Sequence, residues 1–321
     1  MIYIVVLNWR GADDTIACLQ SLMGVQGAAF RIIVCDNGSA DGSYECIRDW
    51  IQSHRDDHAY LRAHPLRELT RKEAEQLSPE APPALYLVQT GANLGYSGGN
   101  NVGIRLALTD PQAEFVWLLN NDTEAEPDSL QRLVERCRAR PDIGICGSKL
   151  VYHHDRSLIQ GLGGVFNPWL AISRHYKINQ SSAVPYQDDE VDTHIDYIVG
   201  ASLFVRTSLL RDIGLLEEDY FLYFEEIDLA RRARGKYSIG MATASVVYHK
   251  EGASTGGGRG LLADFYVLRN RLVYTWKNDR KYIVTVWLGL FVALLNRLRR
   301  GEAKKAWNVL CIIAGRRTFS G

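Results

Sequence analysis

The chain has 321 residues, 46% of them hydrophobic and 23% charged, and its 37 basic side chains balance 37 acidic ones. This composition excludes a disordered or fibrous chain and suits one large folded unit or two modest ones. With no global field, no nucleic-acid partner is expected, and any anion-binding site must be local.

The opening run 2–7 lacks a basic leader and a small-residue cleavage site, so it reads as a buried first strand rather than a signal peptide. Residues 13–23 follow with helical spacing, with Ile16, Leu19 and Leu22 on one side. A second strand is expected over 30–36 and a helix over 41–51. The charged stretch 53–83, ending Pro-Glu-Ala-Pro-Pro, reads as a surface insertion or lid. Strands at 85–89, 115–119 and 143–146 then alternate with helices near 100–108 and 127–138. Such alternation implies parallel β-α-β units in an open sheet, where ligands bind beyond the carboxyl ends of the strands. In the second half, strands of a mixed extension are expected at 151–166 and 197–205, with loop between 179 and 193. A helix near 223–234, strands around 237–241 and 245–248, a flexible glycine loop at 256–260 and a helical tail from 261 complete the chain.

The residues that follow the strands carry the chemistry. Asp36-Asn37-Gly38-Ser39 offers an acid that can accept from a ribose hydroxyl or a base, or an Asx turn leading into a helix. The segment 91–103 is rich in Gly and Asn, which permits close backbone approach to a ligand, yet it matches neither a dinucleotide fingerprint nor a P-loop. Asn120-Asn121-Asp122-Thr123 places one carboxylate where a hard cation such as Mg²⁺ or Mn²⁺ can bridge to phosphates, although Asp122 or Thr123 can equally cap the next helix. Glu225 and Glu226 stand among Phe221, Tyr223 and Phe224, which suits a carboxylate whose pKa is tuned for proton transfer. His249 ends a strand and alone carries little weight.

In chain order, Leu7-Asn8-Trp9, Cys35-Asp36-Asn37-Gly38-Ser39, Asn93-Leu94-Gly95-Tyr96-Ser97-Gly98-Gly99-Asn100-Asn101, Asn120-Asn121-Asp122-Thr123, Gly200-Ala201, Glu225-Glu226-Ile227-Asp228 and His249 resemble the motifs of family-2 glycosyltransferases. These are inverting enzymes of the GT-A fold, and the likeness is greatest to bacterial rhamnosyltransferase-like members. The resemblance implies an α/β, open and mostly parallel sheet flanked by helices, with a mixed-sheet acceptor half and a helical tail. Residues 1–150 would bind the nucleotide sugar, 151–260 would carry the acceptor site and base, and 261–321 would form the tail. It further implies that Leu7, Asn8 and Asp36 line the nucleoside pocket and that Asn93, Asn100 and Asn121 complete the donor site. Asp122 matches the last acid of an Asp-X-Asp metal motif, His249 a further metal ligand, and Glu226 the catalytic base. Arg269-Asn270 resembles a pair near the phosphates. Two departures stand out: Asn120 occupies the place of the first metal acid, and Glu replaces the usual Asp as base, so that Glu225 competes for that role.

The implied function is transfer of a sugar, with rhamnose as a candidate, from a nucleoside diphosphate to a glycan or lipid-linked acceptor in surface polysaccharide synthesis. A nucleotidyltransferase would need a basic glycine-rich loop after the first strand, where only Asn8-Trp9-Arg10-Gly11 is found. A non-catalytic sugar-binding module would have no use for carboxylates amid aromatics. The scattered cysteines, without a Cys-X-X-Cys pair, fit a reducing cytosol. The apolar run 282–295 is flanked by Arg280-Lys281 and by Arg297, Arg299 and Arg300. It falls short of the roughly 20 residues of a spanning helix and suits an interfacial helix on the inner leaflet, with domain packing or a homodimer as the competing roles.

Overall fold

The computed structural model describes residues 1–77, 84–250, 260–316 and 318–319. Among the described residues, twelve strands form: β1 (Ile2–Asn8), β2 (Phe30–Asp36), β3 (Leu66–Thr70), β4 (Leu85–Gln89), β5 (Phe115–Asn120), β6 (Thr123–Ala125), β7 (Ile143–Tyr152), β8 (Ile159–Gly161), β9 (Gly164–Asn167), β10 (Ile172–His175), β11 (Ser202–Arg206) and β12 (Ser238–His249). Ten of them make one sheet in the order β3-β4-β2-β1-β5-β11-β7-β12-β6, with β8 paired to β7, while β9 and β10 form a separate hairpin. The first five in that order run parallel. β11 then enters antiparallel between β5 and β7.

The principal helices are α1 (Ala12–Met23), α2 (Ser43–Ser53), α3 (Gly95–Leu108), α4 (Ser129–Ala139), α5 (Glu225–Ala233), α6 (Leu261–Asn278), α7 (Ile283–Arg299) and α8 (Ala303–Ile313). They cover both faces of the sheet, which is why β1 is apolar at nearly every position rather than at every second one. Tyr3 and Val5 pack with Val102 and Leu106 of α3 on one face. Ile2, Ile4 and Val6 pack with Leu19 of α1, Ile47 of α2 and Leu133 of α4 on the other.

Four expectations change. The segment 53–83 is not all surface: its middle forms β3, the sheet's edge, and Leu61, Leu69 and Ala74 are buried. The charges Arg67 and Glu68 obscured that strand because an edge position tolerates them. Residues 78–83, and 256–259 of the expected glycine loop, lie outside the described residues. The Gly- and Asn-rich segment is largely helix from Gly95 onward. Its glycines let α3 press onto the sheet: a Cβ on Gly99 would stand 2.5 Å from Leu7 Cδ1, and one on Gly103 2.5 Å from Val5 Cγ1. The two strands expected over 237–248 are one, β12, broken in register between Ala242 and Val246. In the tail, the stretch Arg280–Arg299 reaches 20 residues at mean hydropathy 1.4, long and apolar enough by length and composition to cross a membrane, and 17% of it is buried.

Candidate active site

The sheet order gathers the ends of β1, β2 and β5 with the start of α3, and β11 brings residues 199–201 beside them. Together with β8, β10, the 221–226 turn and the end of β12, these surround a cavity of about 350 Å³. Of the residues singled out in the sequence, Leu7, Asn93, Asn121, Asp122, Glu226 and His249 line it. Asn8, Asp36 and Asn100 are not among the lining residues. Asn8 is fully buried and its amide is consumed locally: Nδ2 donates to Asp36 Oδ1 at 2.7 Å, and Oδ1 accepts from Thr15 Oγ1 at 2.9 Å. The other Asp36 oxygen accepts from the Ser39 backbone N–H at 3.1 Å. Asn100 Nδ2 donates to the Tyr96 carbonyl at 3.0 Å.

Trp9, Asn37, Tyr96, Gln160 and His175 line the cavity without having been assigned a role from sequence. Asn37 ties the end of β2 to the start of α3, its Nδ2 donating to Asn93 Oδ1 at 3.1 Å and to the Gly95 carbonyl at 3.0 Å. It lies beside Asp36 in a quoted motif, so only its direction was hidden. Gln160 and His175 stood in no motif; the topology of β8 and β10 brings them in.

The antiparallel pairing of β12 with β6 sets His249 opposite Thr123 and thus beside Asp122. His249 Nε2 lies 3.2 Å from Asp122 Oδ1. On the far side of the ring, Nδ1 lies 2.8 Å from Gln160 Oε1. An amide oxygen can only accept, so Nδ1 carries the proton in this arrangement. Nε2 is buried with no hydrogen-bond partner among the described residues. Lone pairs of a nitrogen and a carboxylate oxygen therefore converge unless a proton or a cation stands between them. That donor set fits a divalent cation bound largely through oxygen, with the imidazole as a secondary ligand. Among the described residues, no group of three or more His, Cys, Asp or Glu side chains is arranged to hold a metal.

Across the cavity, α5 begins at Glu225 after a strained turn. Phe221, Tyr223 and Phe224 all have positive φ, at 64°, 68° and 78°. Each such non-glycine residue costs on the order of 1–2 kcal/mol, so something must hold the turn. Asn270 of α6 does so: fully buried, its Nδ2 donates to the carbonyls of Tyr220, Leu222 and Tyr223 at 2.8–2.9 Å. Asn270 is thus a clamp on the turn. The outcome is a pair of carboxyl groups whose Oε2 atoms are buried with no hydrogen-bond partner among the described residues. Burial pushes Glu226 up to about 7. Burial and the neighbouring Glu226 push Glu225 well above the carboxylate range. Tyr96 joins the two sides of the cavity. Its hydroxyl donates to the Gly200 carbonyl at 2.7 Å, and its pKa is raised by burial and then by Glu225, Glu226 and Asp122.

Residues 65–214 match the family model described as glycosyl transferase family 2. The chain is 24% identical over 244 residues to the low-salt glycan biosynthesis hexosyltransferase Agl10 of Haloferax volcanii, covering 76% of this chain and 64% of that protein. It is 29% identical over 202 residues to the N-acetylglucosaminyl-diphospho-decaprenol L-rhamnosyltransferase of Mycobacterium tuberculosis, covering 54% of this chain and 62% of that protein. The chain thus spans less than two thirds of the length of these curated relatives. Among solved structures it resembles a mannosyltransferase from Pyrobaculum calidifontis in complex with GDP-Man and Mn²⁺, with TM-score 0.56, 14% identity and coverage of 98% of this chain and 85% of that one. It also resembles residues 1–349 of S. aureus TarS, with TM-score 0.53, 13% identity and coverage of 97% and 80%. The mostly parallel sheet, the helices on both faces and the family match together place in this chain a glycosyl transferase family 2 domain, built on a GT-A fold.

Proposed function

We propose that the protein is an inverting glycosyltransferase that moves a hexose, with rhamnose the leading candidate, from a nucleoside diphosphate to a glycan or lipid-linked acceptor. The observation that carries this reading is the sharing of one cavity by a proton-accepting carboxylate, Glu226, and an Asp122–His249 pair suited to a divalent cation. Residues 1–150 are assigned to the nucleotide sugar, 151–260 to the acceptor and base, and 261–321 to the tail.

Asp122 and His249 would hold Mg²⁺ or Mn²⁺, which when bound neutralises the charge that develops on the departing diphosphate. Leu7 and Trp9 offer apolar surface to the nucleoside at the end of β1, and Asn93 and Asn121 offer polar edges beside it. Asn8 and Asp36 shape that end from behind, through their mutual hydrogen bond. Glu226 accepts the proton of the acceptor hydroxyl as that oxygen bonds to the anomeric carbon. The bond from that carbon to the β-phosphate oxygen breaks in the same step, so configuration inverts and the nucleoside diphosphate leaves. Glu226 suits this role better than Glu225, because a carboxyl raised to about 7 is substantially ionised at neutral pH, whereas burial and the adjacent Glu226 raise Glu225 well above the ordinary carboxylate range.

The proposed setting is the cytoplasmic face of a membrane, contacted through residues 280–300, with a homodimer as the competing use of that helix. The reading is tested by incubating the protein with a panel of nucleotide sugars and a lipid-diphosphate sugar acceptor, with and without Mn²⁺, and determining the product anomer by NMR. Retention of the donor's anomeric configuration, or transfer undiminished in Glu226→Gln, refutes it.

A further inference from the structure

Helix α7 carries two opposed apolar stripes. Val286 and Leu290 point inward and are buried, and Leu290 packs with Phe265 of α6 and Val309 of α8. Val284, Leu288, Val292 and Leu295 recur on the outer side and are 53–65% exposed. A helix apolar on its outer face as well as its inner one has a partner beyond its own domain.

A second element extends that face. The turn between β9 and β10 lays Trp169 on Tyr282, with ring centroids 4.7 Å apart, and Thr285 Oγ1 donates to the Trp169 carbonyl at 2.7 Å. Trp169 is nevertheless 58% exposed, and Leu170 and Ile172 beside it are 42% and 41% exposed. Trp307 of α8, at 62%, adds a third. The turn side chains come from a segment more than a hundred residues before α7 and α8.

Charge identifies the occupant. The whole chain is neutral, yet residues 280–316 contain eight Lys and Arg and a single acid, Glu302. Arg280, Lys281, Arg299, Arg300 and Lys304 are exposed and form no ion pair among the described residues. We infer that the outer stripe of α7, the β9–β10 turn and Trp307 form one platform that seats the protein on an anionic lipid bilayer, with the apolar residues in the interface and the cations against the headgroups. The inner stripe keeps α7 packed on α6 and α8, so the helix lies along the surface and does not cross it. Two elements joined to the platform also reach the cavity, for His175 at the end of β10 and Leu262 of α6, the helix on which α7 packs, both line it. A lipid-borne acceptor would therefore meet the site at the bilayer, an orientation that rests on the proposed function, whereas the docking itself does not.

The test is co-sedimentation of the full chain with vesicles of phosphatidylcholine alone or mixed with phosphatidylglycerol. Binding is expected only to the anionic vesicles, to weaken roughly fivefold for each exposed cation replaced, and to be released by high salt or alkaline carbonate. Trp169→Ser with Leu170→Ser, and separately Leu288→Ser with Val292→Ser, should each weaken it about tenfold or more, with unchanged thermal midpoints. Binding indifferent to the β9–β10 variants, resistance to carbonate extraction, or a dimer by light scattering that the same variants dissociate while vesicles go unbound would each overturn the proposal. Because no sugar is transferred in these measurements, their failure leaves the enzymatic reading intact.

Discussion

His249 Nε2 faces Asp122 Oδ1 across 3.2 Å, while Gln160 Oε1 holds the opposite ring nitrogen at 2.8 Å. Gln160 is 2% exposed and fixes the orientation of the His249 ring through Nδ1. Asp122→Ala and His249→Ala are each expected to reduce Mn²⁺ binding, measured by electron paramagnetic resonance titration. Gln160→Leu, which removes the acceptor, should weaken it by about 10–100-fold. Gln160→Glu keeps an acceptor and cannot donate, so it should retain the affinity. Loss in the Glu variant together with retention in the Leu variant would show that Gln160 acts in the reverse sense, as a donor.

Glu226 predicts a linked effect on rate and stability. As base it must be ionised, so the rate should rise with pH and level off above about 7. Glu226→Gln should lower kcat by about 10²–10⁴-fold. Stability moves the other way. A carboxyl raised from 4.5 to about 7 binds its proton more tightly folded than unfolded. Its favourable contribution is complete below pH 4.5 and is lost as pH rises through 7. The Gln variant should therefore be more stable than the parent at pH 8 by on the order of 2 kcal/mol, and no more stable at pH 4, in denaturant titrations. A rate plateau reached well below pH 6 would reassign the base.

The sheet was legible wherever a buried strand wrote an unbroken apolar run, as in β1, β2 and β5, and so were the polar residues directly after those runs. Asp122, Glu226 and His249 were visible as residue types in order, and the fold brings them to one cavity. Two kinds of information were hidden. Direction was one: Asn8 and Asp36 sit at the strand ends, but their side chains bond to each other, a choice that strand position alone does not determine. Non-local pairing was the other. Gln160 reaches His249 only because β8 pairs antiparallel with β7 while β12 lies parallel on its other side, and β3 was concealed by the charges an edge strand allows. The glycines of 95–103 announced close approach correctly, but for Gly99 and Gly103 the partner is the sheet side: Leu7, Asn37 and Val5 lie where their Cβ atoms would fall.

The turn before α5 stores strain that shapes the site. Tyr223 and Phe224 hold φ at 68° and 78°, a conformation glycine adopts freely. Tyr223→Gly should recover part of the about 1 kcal/mol of strain, partly offset by lost ring packing, yet reduce kcat because Glu225 and Glu226 become less well positioned. Asn270→Ala removes the donor to three carbonyls and should destabilise the fold by roughly 2–3 kcal/mol. Thermal melts and transfer rates measured on the same samples check both. A turn held for geometry alone would let the glycine variant gain stability with no loss of rate.

Gly95 is where the strained turn meets the donor side. It has φ of 72°, and a Cβ there would lie 2.2 Å from the Phe221 carbonyl oxygen. The same oxygen accepts the Tyr96 N–H at 2.6 Å, so the start of α3 and the turn before α5 are locked at one atom. A methyl group at this point cannot be relieved by a side-chain rotation, because the obstacle is backbone. Gly42, by comparison, has φ of 83° with nothing within 4 Å of its Cβ direction. Gly42→Ala should cost about 1–2 kcal/mol from conformation alone. Gly95→Ala adds a backbone displacement on top of that conformational cost and should exceed it by at least ~1 kcal/mol. It should also lower transfer activity beyond what the loss of folded protein explains, since Tyr96 and the Glu225–Glu226 pair shift together. Equal destabilisation by the two substitutions in urea titrations would mean that the turn moves aside freely, and the link between the two halves of the cavity would have to be abandoned.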